Sequence, residues 1–170
     1  MGQALSRECD MKVAWAPWRM TYIERGRPER CIFCVHDEGR EDLVLAADET
    51  MVAMLNMFPY NNGHLMVAPR EHVARLGDLA PDMYVALMDA LLGSIDIIER
   101  VFEPQGVNVG INIGAPAGAG IEDHLHWHVV PRWNDYMPVI AEVKVLPQHL
   151  RESYDRLRPH FDAWMAKRTR

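Results

Sequence analysis

The residues with the clearest capacity for chemistry are three histidines at alternate positions, His124, His126 and His128. Alternate side chains of a β-strand project from the same face, so a strand would bring the three imidazoles together. A helix would turn His126 nearly away from the other two. The opposite, apolar face of such a strand would be formed by Leu125, Trp127 and Val129. We therefore predict a strand from His124 to Val130, closed by Pro131.

Grouped imidazoles on a strand support more than one kind of chemistry. A neutral ring nitrogen is a nucleophile near physiological pH and also the commonest neutral metal ligand. A loop of glycine, alanine and proline, Gly114 to Gly120, precedes the histidines, and an asparagine-bearing strand precedes the loop. The residues alone leave three interpretations open, namely covalent catalysis, three ligands for one metal, and core packing.

A second chemical motif is Cys31-Ile32-Phe33-Cys34. Two residues between thiols suit either a metal site or redox chemistry. A redox pair usually opens a helix in a βαβ unit, whereas this one precedes a predicted hairpin, which favours a metal. A tetrahedral site would need two further ligands from elsewhere in the chain. Reduced thiols that only pack are the alternative, and Cys9 has no evident partner.

The elements that must position these residues follow from hydrophobic periodicity and from turn signals. Strands are expected at Leu43 to Ala46, Met51 to Met57, His64 to Ala68 and Val107 to Ile113, besides the histidine strand. Helices are expected at Leu79 to Phe102 and at Pro147 to His160, with Pro159 ending or bending the second. The pattern predicts an α+β fold: an antiparallel sheet of about five strands, one long helix and a C-terminal helix.

The composition is that of an ordinary globular chain. We expect 170 residues to form one domain, with an arm at 1–30, a core at 31–133 and a C-terminal extension at 134–170. The net charge of -6 argues against a nucleic-acid binder. No apolar run approaches the roughly 18 residues that span a bilayer. The first ten residues lack the apolar region of a signal peptide, so we expect the cytoplasm and no membrane partner.

The segment from Asp123 to Trp133 is similar to the signature of the histidine-triad (HIT) superfamily of nucleotide hydrolases and transferases. Further matches to that family are Asn56, Gly63-His64, Pro69-Arg70-Glu71-His72 and Asn112. Two other segments, Trp15 to Arg19 and Met137 to Ile140, resemble its bacterial diadenosine-tetraphosphate phosphorylase-like branch, related to the Fhit-like proteins. The resemblance covers most of the chain.

The resemblance implies a role for each matched residue. His126 would attack the α-phosphorus of a nucleotide and form a covalent nucleotidyl-histidine. The other implied catalytic residues are His128 and His64, beside the phosphate. The implied substrate-binding residues are Asn56 at the ribose, Asn112 at a phosphate oxygen, His124, and the loop residues Gly118, Ala119 and Gly120. A nucleotide substrate, by family habit with adenine, and a homodimer are the implied partners.

Zinc-bearing members of the superfamily use a cysteine pair, the histidine of the Pro-x-x-His segment and the first triad histidine. The corresponding residues here are Cys31, Cys34, His72 and His124. The resemblance thus implies a closed, structural Zn²⁺ site that leaves His126 free, and no organic cofactor.

One departure from the family pattern bears on the substrate. Many members carry Gln or Ser shortly before the triad, whereas this chain has Ala119-Gly120. An amine leaving group needs a proton and a polyphosphate does not, so we expect a dinucleoside polyphosphate. The acceptor, water or phosphate, stays open, and the branch resemblance favours phosphate. The alternatives are a nucleoside phosphoramidase or mononucleotide hydrolase of the same superfamily, a zinc-dependent hydrolase with a histidine-bound metal, and a non-catalytic nucleotide-binding adaptor.

Overall fold

The computed structural model of the chain describes residues 30–35, 42–133 and 147–168. Its strands are β1 (Val44–Ala47), β2 (Met51–Leu55), β3 (Leu65–Pro69), β4 (Gly106–Ile111) and β5 (Trp127–Arg132). They form one sheet in the order β1-β2-β3-β5-β4, and every neighbouring pair is antiparallel. The predicted α+β fold on an antiparallel sheet is confirmed. The segments 15–19 and 137–140 lie outside the described residues.

The first hairpin forms because its turn satisfies its own backbone. The Asp48 carboxylate accepts hydrogen bonds from the backbone N–H groups of Thr50 and Met51, at 2.7 and 2.9 Å. An aspartate that bonds main-chain groups two and three residues ahead is a common way to close a tight turn. This turn brings β1 against β2, as the sequence predicted.

The long helix α1 (Pro81–Phe102) lies over β2, β3 and β5. Pro81 begins it, where the missing N–H costs no helical bond, and Glu103 ends it in a left-handed conformation with φ 48°. One face of the helix is buried, and its residues recur at helical spacing: Leu87, Ala90, Leu91, Ser94, Ile97 and Ile98. The sheet and α1 therefore enclose the main core.

The C-terminal helix α2 (Pro147–Arg168) packs on α1 and β1. The prediction that it would end at His160 was wrong, because the helix continues through Pro159 to Arg168. Leu157 and Phe161, on either side of the proline, are completely buried. Their burial compensates for the hydrogen bond that a proline removes from a helix interior.

The histidine strand differs from its predicted bounds. β5 begins at Trp127 and not at His124, and it runs through Pro131 to Arg132. Pairing with β3 ends at Val129, so at Pro131 the strand has β4 alone beside it. Proline is tolerated where one side of a strand is not paired, which explains why Pro131 does not close β5.

β4 is an edge strand of the described sheet, because β5 is its single neighbour among the described strands. Apolar residues alternate with small polar residues along β4, a pattern typical of a half-buried strand. Val107 and Ile111 are half-buried, but Val109 is 44% exposed.

No helix among the described residues is long and apolar enough to cross a membrane. The division of the chain at residues 30 and 133 stays a prediction.

Candidate active site

The triad segment enters β5 with its apolar residues in the core, as the alternation predicted. Leu125, Trp127 and Val129 are buried, and their packing in the core anchors the triad segment to the sheet. On the other face the rings of His126 and His128 lie edge to face, with their centroids 4.9 Å apart. His124 and His126 are not stacked on each other. Instead Phe33 contacts both rings, at 5.1 and 5.0 Å between centroids.

His126 is held in a single tautomer by the main chain. Its Nδ1 lies 2.8 Å from the carbonyl oxygen of His124, and a carbonyl can only accept, so Nδ1 carries the proton. The Nε2 atom therefore carries the lone pair. Burial lowers the pKa of His126 below its ordinary range, although the hydrogen bond that its Nδ1–H donates to the carbonyl of His124 opposes the shift. A buried, neutral imidazole with a free Nε2 lone pair is what nucleophilic attack requires.

The pair His64 and His128 forms a directed chain of hydrogen bonds. The backbone N–H of Tyr60 donates to Nδ1 of His64 at 3.0 Å, so Nε2 of His64 must carry the proton. That Nε2–H then donates to Nδ1 of His128, also at 3.0 Å. The ring proton of His128 is consequently on Nε2, on the side of Asn112. The Tyr60 ring stacks on His64 with centroids 4.8 Å apart.

His64 is completely buried. Burial, followed by the charges of His128, Arg132 and His126, lowers the pKa of His64 well below its ordinary range. The ring therefore remains neutral, which keeps the direction of the chain from Tyr60 to His128 unchanged.

Asn112 lies at the open end of this chain. Its Nδ2 donates to the carbonyl oxygen of Gly118 at 3.5 Å and lies 3.4 Å from Nε2 of His128; both of these nitrogens carry protons, so they do not hydrogen-bond to each other. Gly118 has φ +94°, which favours glycine and lets the loop fold back over Asn112. Asn112 and His128 thus direct polar groups to one place beside His126.

The N–H groups of the glycine-rich loop serve the loop itself. The N–H of Gly118 donates to Ala115 at 2.9 Å, and the N–H of Ala119 donates to Gly114 at 3.3 Å. Contacts from Gly118, Ala119 and Gly120 to a phosphate stay a prediction. At the first two positions such contacts require the internal bonds to be exchanged for bonds to the anion.

Asn56 follows β2, on the opposite side of the histidines from Asn112. Its side-chain oxygen accepts from the backbone N–H of Phe58 at 2.9 Å, and its own N–H donates to the carbonyl of His64 at 3.0 Å. The side-chain Nδ2 has no hydrogen-bond partner among the described residues. Asn56 can therefore still donate to a ligand hydroxyl.

A second group of side chains converges beside the first. One donor atom each from Cys31, Cys34, His72 and His124 lies within 4.8 Å of the others. Nδ1 of His124 is 3.2 Å from the Cys31 sulfur, 3.6 Å from the Cys34 sulfur and 3.2 Å from Nδ1 of His72. Ligand atoms of a tetrahedral zinc site would be about 3.3 to 3.8 Å apart, given bonds of about 2.0 to 2.3 Å. The four predicted residues are brought together in nearly that geometry.

The chemistry of these donors fits a metal. Nε2–H of His124 donates to the carbonyl of Pro69 at 2.9 Å, so Nδ1 of His124 carries a lone pair that faces three other heteroatoms. Burial lowers the pKa of His124 to about 4, which keeps the ring neutral. Burial and the neighbouring Cys31 raise the pKa of Cys34. A divalent cation would satisfy the lone pair and stabilise both thiolates.

His124 belongs to both groups, through different atoms. Both its ring nitrogens are committed to the cluster and to Pro69, and its carbonyl oxygen receives the proton-bearing Nδ1 of His126. The next N–H in the chain, that of Leu125, donates to Val73 at 2.7 Å. The same peptide group is thus fixed at both ends. The ring of His124 has no nitrogen left for a substrate, so its effect on one would pass through His126.

Sequence reasoning did not find three residues that shape the site, namely Phe33, Tyr60 and Val73. Phe33 was visible as the apolar residue between the two cysteines, a position that anchors a metal-binding turn in the core. Tyr60 acts through its backbone N–H and its ring face, and Val73 through its carbonyl. Main-chain contacts of this kind leave no signal in residue type.

A sequence model of the HIT domain matches residues 38–135 of this chain. The chain is 38% identical to AP-4-A phosphorylase of Mycobacterium tuberculosis, over 82% of this chain and 78% of that protein. It is 28% identical to an adenosine 5'-monophosphoramidase of Schizosaccharomyces pombe, over 62% and 76%. Its fold is similar to that of a zinc-bound histidine triad family protein from Mycobacterium smegmatis, with a TM-score of 0.65 and 24% identity over 81% and 96%. The chain belongs to the HIT domain family.

Proposed function

We propose that this protein is a nucleotidyl hydrolase or transferase that cleaves dinucleoside polyphosphates at an α-phosphate, with His126 as the nucleophile. The observation that carries the proposal is the environment of His126. The ring is buried, and its Nδ1–H is bound to the carbonyl of His124, which leaves the Nε2 lone pair for attack. Two relatives, the AP-4-A phosphorylase and the adenosine 5'-monophosphoramidase, are named for adenosine substrates, which supports adenosine as the nucleoside.

In the first step, Nε2 of His126 forms a bond to the α-phosphorus, and the bond from that phosphorus to the bridging oxygen breaks. The electron pair leaves with the remaining polyphosphate. From diadenosine tetraphosphate the leaving group is ATP, and AMP stays on the histidine. The Nε2–H of His128 and the amide of Asn112 are directed to one place, where they would stabilise charge on the phosphoryl oxygens.

In the second step an acceptor attacks the nucleotidyl-histidine and the bond from phosphorus to nitrogen breaks. Water would yield AMP, and inorganic phosphate would yield ADP. We propose phosphate, because the 38%-identical relative is an AP-4-A phosphorylase. Asn56, with its unpartnered Nδ2 among the described residues, would hold the ribose during both steps.

A phosphoramidase is the second candidate, since one relative is an adenosine 5'-monophosphoramidase. An amine leaving group needs a proton from the enzyme. The segment at Ala119-Gly120 offers no side chain that could supply it. This difference favours the polyphosphate substrate.

We also propose that Cys31, Cys34, His72 and His124 hold a structural Zn²⁺. The convergence of their donor atoms supports this. When bound, the ion would tie the residues around Cys31 to the turn after β3 and to the triad segment. A closed site with four protein ligands is not expected to activate water. Thiols that must stay reduced support a cytoplasmic location.

We propose that two copies associate through β4. Exposed strand edges offer unpaired backbone groups to another strand. β4 is one of the two edge strands of the described sheet, and Val109 within it and Ile113 just after it expose apolar side chains, at 44% and 56%. Sedimentation of the full chain tests this: the proposal requires twice the mass of one chain, and a monomer at micromolar concentration would refute it.

The test of the reaction is product analysis of diadenosine tetraphosphate turnover, with and without inorganic phosphate, for the wild type and His126→Ala. ADP plus ATP, formed only with phosphate, is the expected result. AMP plus ATP regardless of phosphate would make the enzyme a hydrolase. Undiminished turnover by His126→Ala, or a strong preference for the phosphoramidate, would overturn the proposal.

A further inference from the structure

No contact among the described residues requires a glycine at position 110. Gly110 lies in the middle of β4, and its φ is outside the left-handed region that favours glycine. A Cβ atom built on Gly110 would have no heavy atom of the described residues within 4 Å. Glycine weakens a strand interior. Neither the backbone conformation nor the packing among the described residues explains why β4 has a destabilising glycine at this position.

The place that a side chain at this position would fill faces the histidines. Gly110 is directly opposite His128 in the β4–β5 ladder, so side chains at both positions project from the same face. The neighbouring residues on that face reach across to β5. Asn112 contacts His128, and Asn108 accepts a hydrogen bond from Arg132 at 2.7 Å. Gly110 therefore leaves a gap between two asparagines, beside His128.

The sheet order says which part of a substrate would meet this gap. Asn56, at the end of β2, lies on one side of the β3–β5 pair that carries His64 and His128, and β4 lies on the other side. In an in-line displacement the leaving group departs opposite the attacking Nε2 of His126, and the ribose oxygen lies to the side of that line. If the ribose is held at Asn56 and the α-phosphate at His126, the leaving group has room on the β4 side, which the ribose does not occupy.

We propose that Gly110 determines specificity by leaving room for the bulky leaving group of a dinucleoside polyphosphate. This inference rests on the proposed function. A branched side chain at position 110 would occupy the space of the polyphosphate and leave the nucleoside monophosphate end undisturbed. Substrates with a small leaving group would still fit.

Gly110→Val is the variant to make, and Gly106→Val is its matched control. Gly106 lies on the same face of the same strand, also has nothing within 4 Å of a built Cβ, and is opposite Arg132, away from the triad. Both substitutions place a strand-favouring residue in open space. They differ in their distance from the histidines.

The kinetic measurement compares kcat/KM for diadenosine tetraphosphate with kcat/KM for adenosine 5'-phosphofluoridate, whose leaving group is one atom. We expect Gly110→Val to lose about tenfold or more on the first substrate, since small volume changes in a specificity pocket are worth about 10- to 200-fold. Its activity on the phosphofluoridate and both activities of Gly106→Val should remain within about twofold of wild type. Gly110→Ala should lie between wild type and Gly110→Val.

A binding measurement separates this inference from the proposed reaction. In a His126→Ala background, calorimetry with AMP and with diadenosine tetraphosphate needs no turnover. Adding Gly110→Val should weaken binding of the dinucleotide about tenfold or more and leave AMP binding unchanged. Equal effects on both ligands, no effect on either, or a change in sedimentation mass would overturn the role of Gly110. Lack of turnover by the wild type, with the binding difference intact, would overturn only the reaction.

Discussion

Two neighbouring groups of histidines in this protein are built from similar residues but arranged in opposite ways. In the cluster of Cys31, Cys34, His72 and His124, donor atoms converge, with Nδ1 of His124 within 3.2 to 3.6 Å of three other heteroatoms. Around His126 the ring nitrogens are paired one by one, and each Nδ1 has a partner that fixes the proton.

The difference shows how one residue type serves two chemistries. The partner of one ring nitrogen decides what the other nitrogen can do. The carbonyl of Pro69 accepts a hydrogen bond from Nε2–H of His124, so the lone pair on Nδ1 of His124 faces the cluster. The carbonyl of His124 accepts a hydrogen bond from Nδ1–H of His126, which leaves the lone pair on Nε2 of His126 for attack. One peptide segment therefore orients both the proposed metal ligand His124 and the proposed nucleophile His126.

The largest expected effect is a loss of turnover on substitution of His126, which would distinguish the histidines around His126 from the cysteine and histidine cluster. His126→Ala removes the nucleophile, and we expect turnover to fall by a factor of the order of 10⁴ or more, with zinc content unchanged. His149→Ala, on α2 and outside both groups, should keep wild-type turnover. The measurement is steady-state kinetics together with mass spectrometry of acid-quenched protein for the nucleotidyl adduct. An adduct on the His126→Ala protein would show that another residue is the nucleophile.

The next effect is on stability. Cys34→Ser should lose the metal and lower the free energy of unfolding by several kcal/mol, since a structural ion contributes its binding energy to folding. Cys9→Ser is the matched control and should retain about one zinc per chain. Elemental analysis and thermal unfolding measure both quantities.

Chelation sharpens the same prediction. Metal-free protein should still form the nucleotidyl adduct below its own unfolding temperature, because the proposed ion is structural and takes no part in the proposed chemical step. Immediate loss of adduct formation on chelation, with the fold intact, would point to a metallohydrolase instead.

The smallest effect concerns pH. The pKa of His64 is lowered by burial, so below about pH 6.5 the unfolded chain binds a proton that the folded chain does not. The contribution of His64 to stability is therefore complete above that pH. It falls by about 1.4 kcal/mol per pH unit as the pH decreases toward the folded pKa.

His64→Gln tests this, because a glutamine can accept from Tyr60 and donate to His128 but does not titrate. Its free energy of unfolding should fall less steeply than that of the wild type as the pH decreases below about 6.5, by up to about 1.4 kcal/mol per pH unit. Denaturant unfolding at a series of pH values measures the slopes. Parallel slopes for wild type and variant would mean that His64 is protonated in the folded state.

Much of the fold could be predicted because its periodicities are local. The burial of Leu125, Trp127 and Val129 follows from alternation, and the core face of α1 follows from helical spacing. The errors occurred where tertiary packing outweighs a local rule. Pro159 lies inside α2 because Leu157 and Phe161 are buried on both sides of it. Pro131 lies inside β5 because β3 no longer pairs there.

The sequence by itself determined the residue types of the site and the face on which His126 and His128 lie, because strand period and residue chemistry are local properties. It also determined the family, through motifs with fixed spacing. The tertiary structure alone decided the tautomers of His64, His124 and His126, because carbonyl and N–H groups from distant segments set them. It also placed an empty glycine position opposite His128, since strand register depends on how the whole sheet assembles.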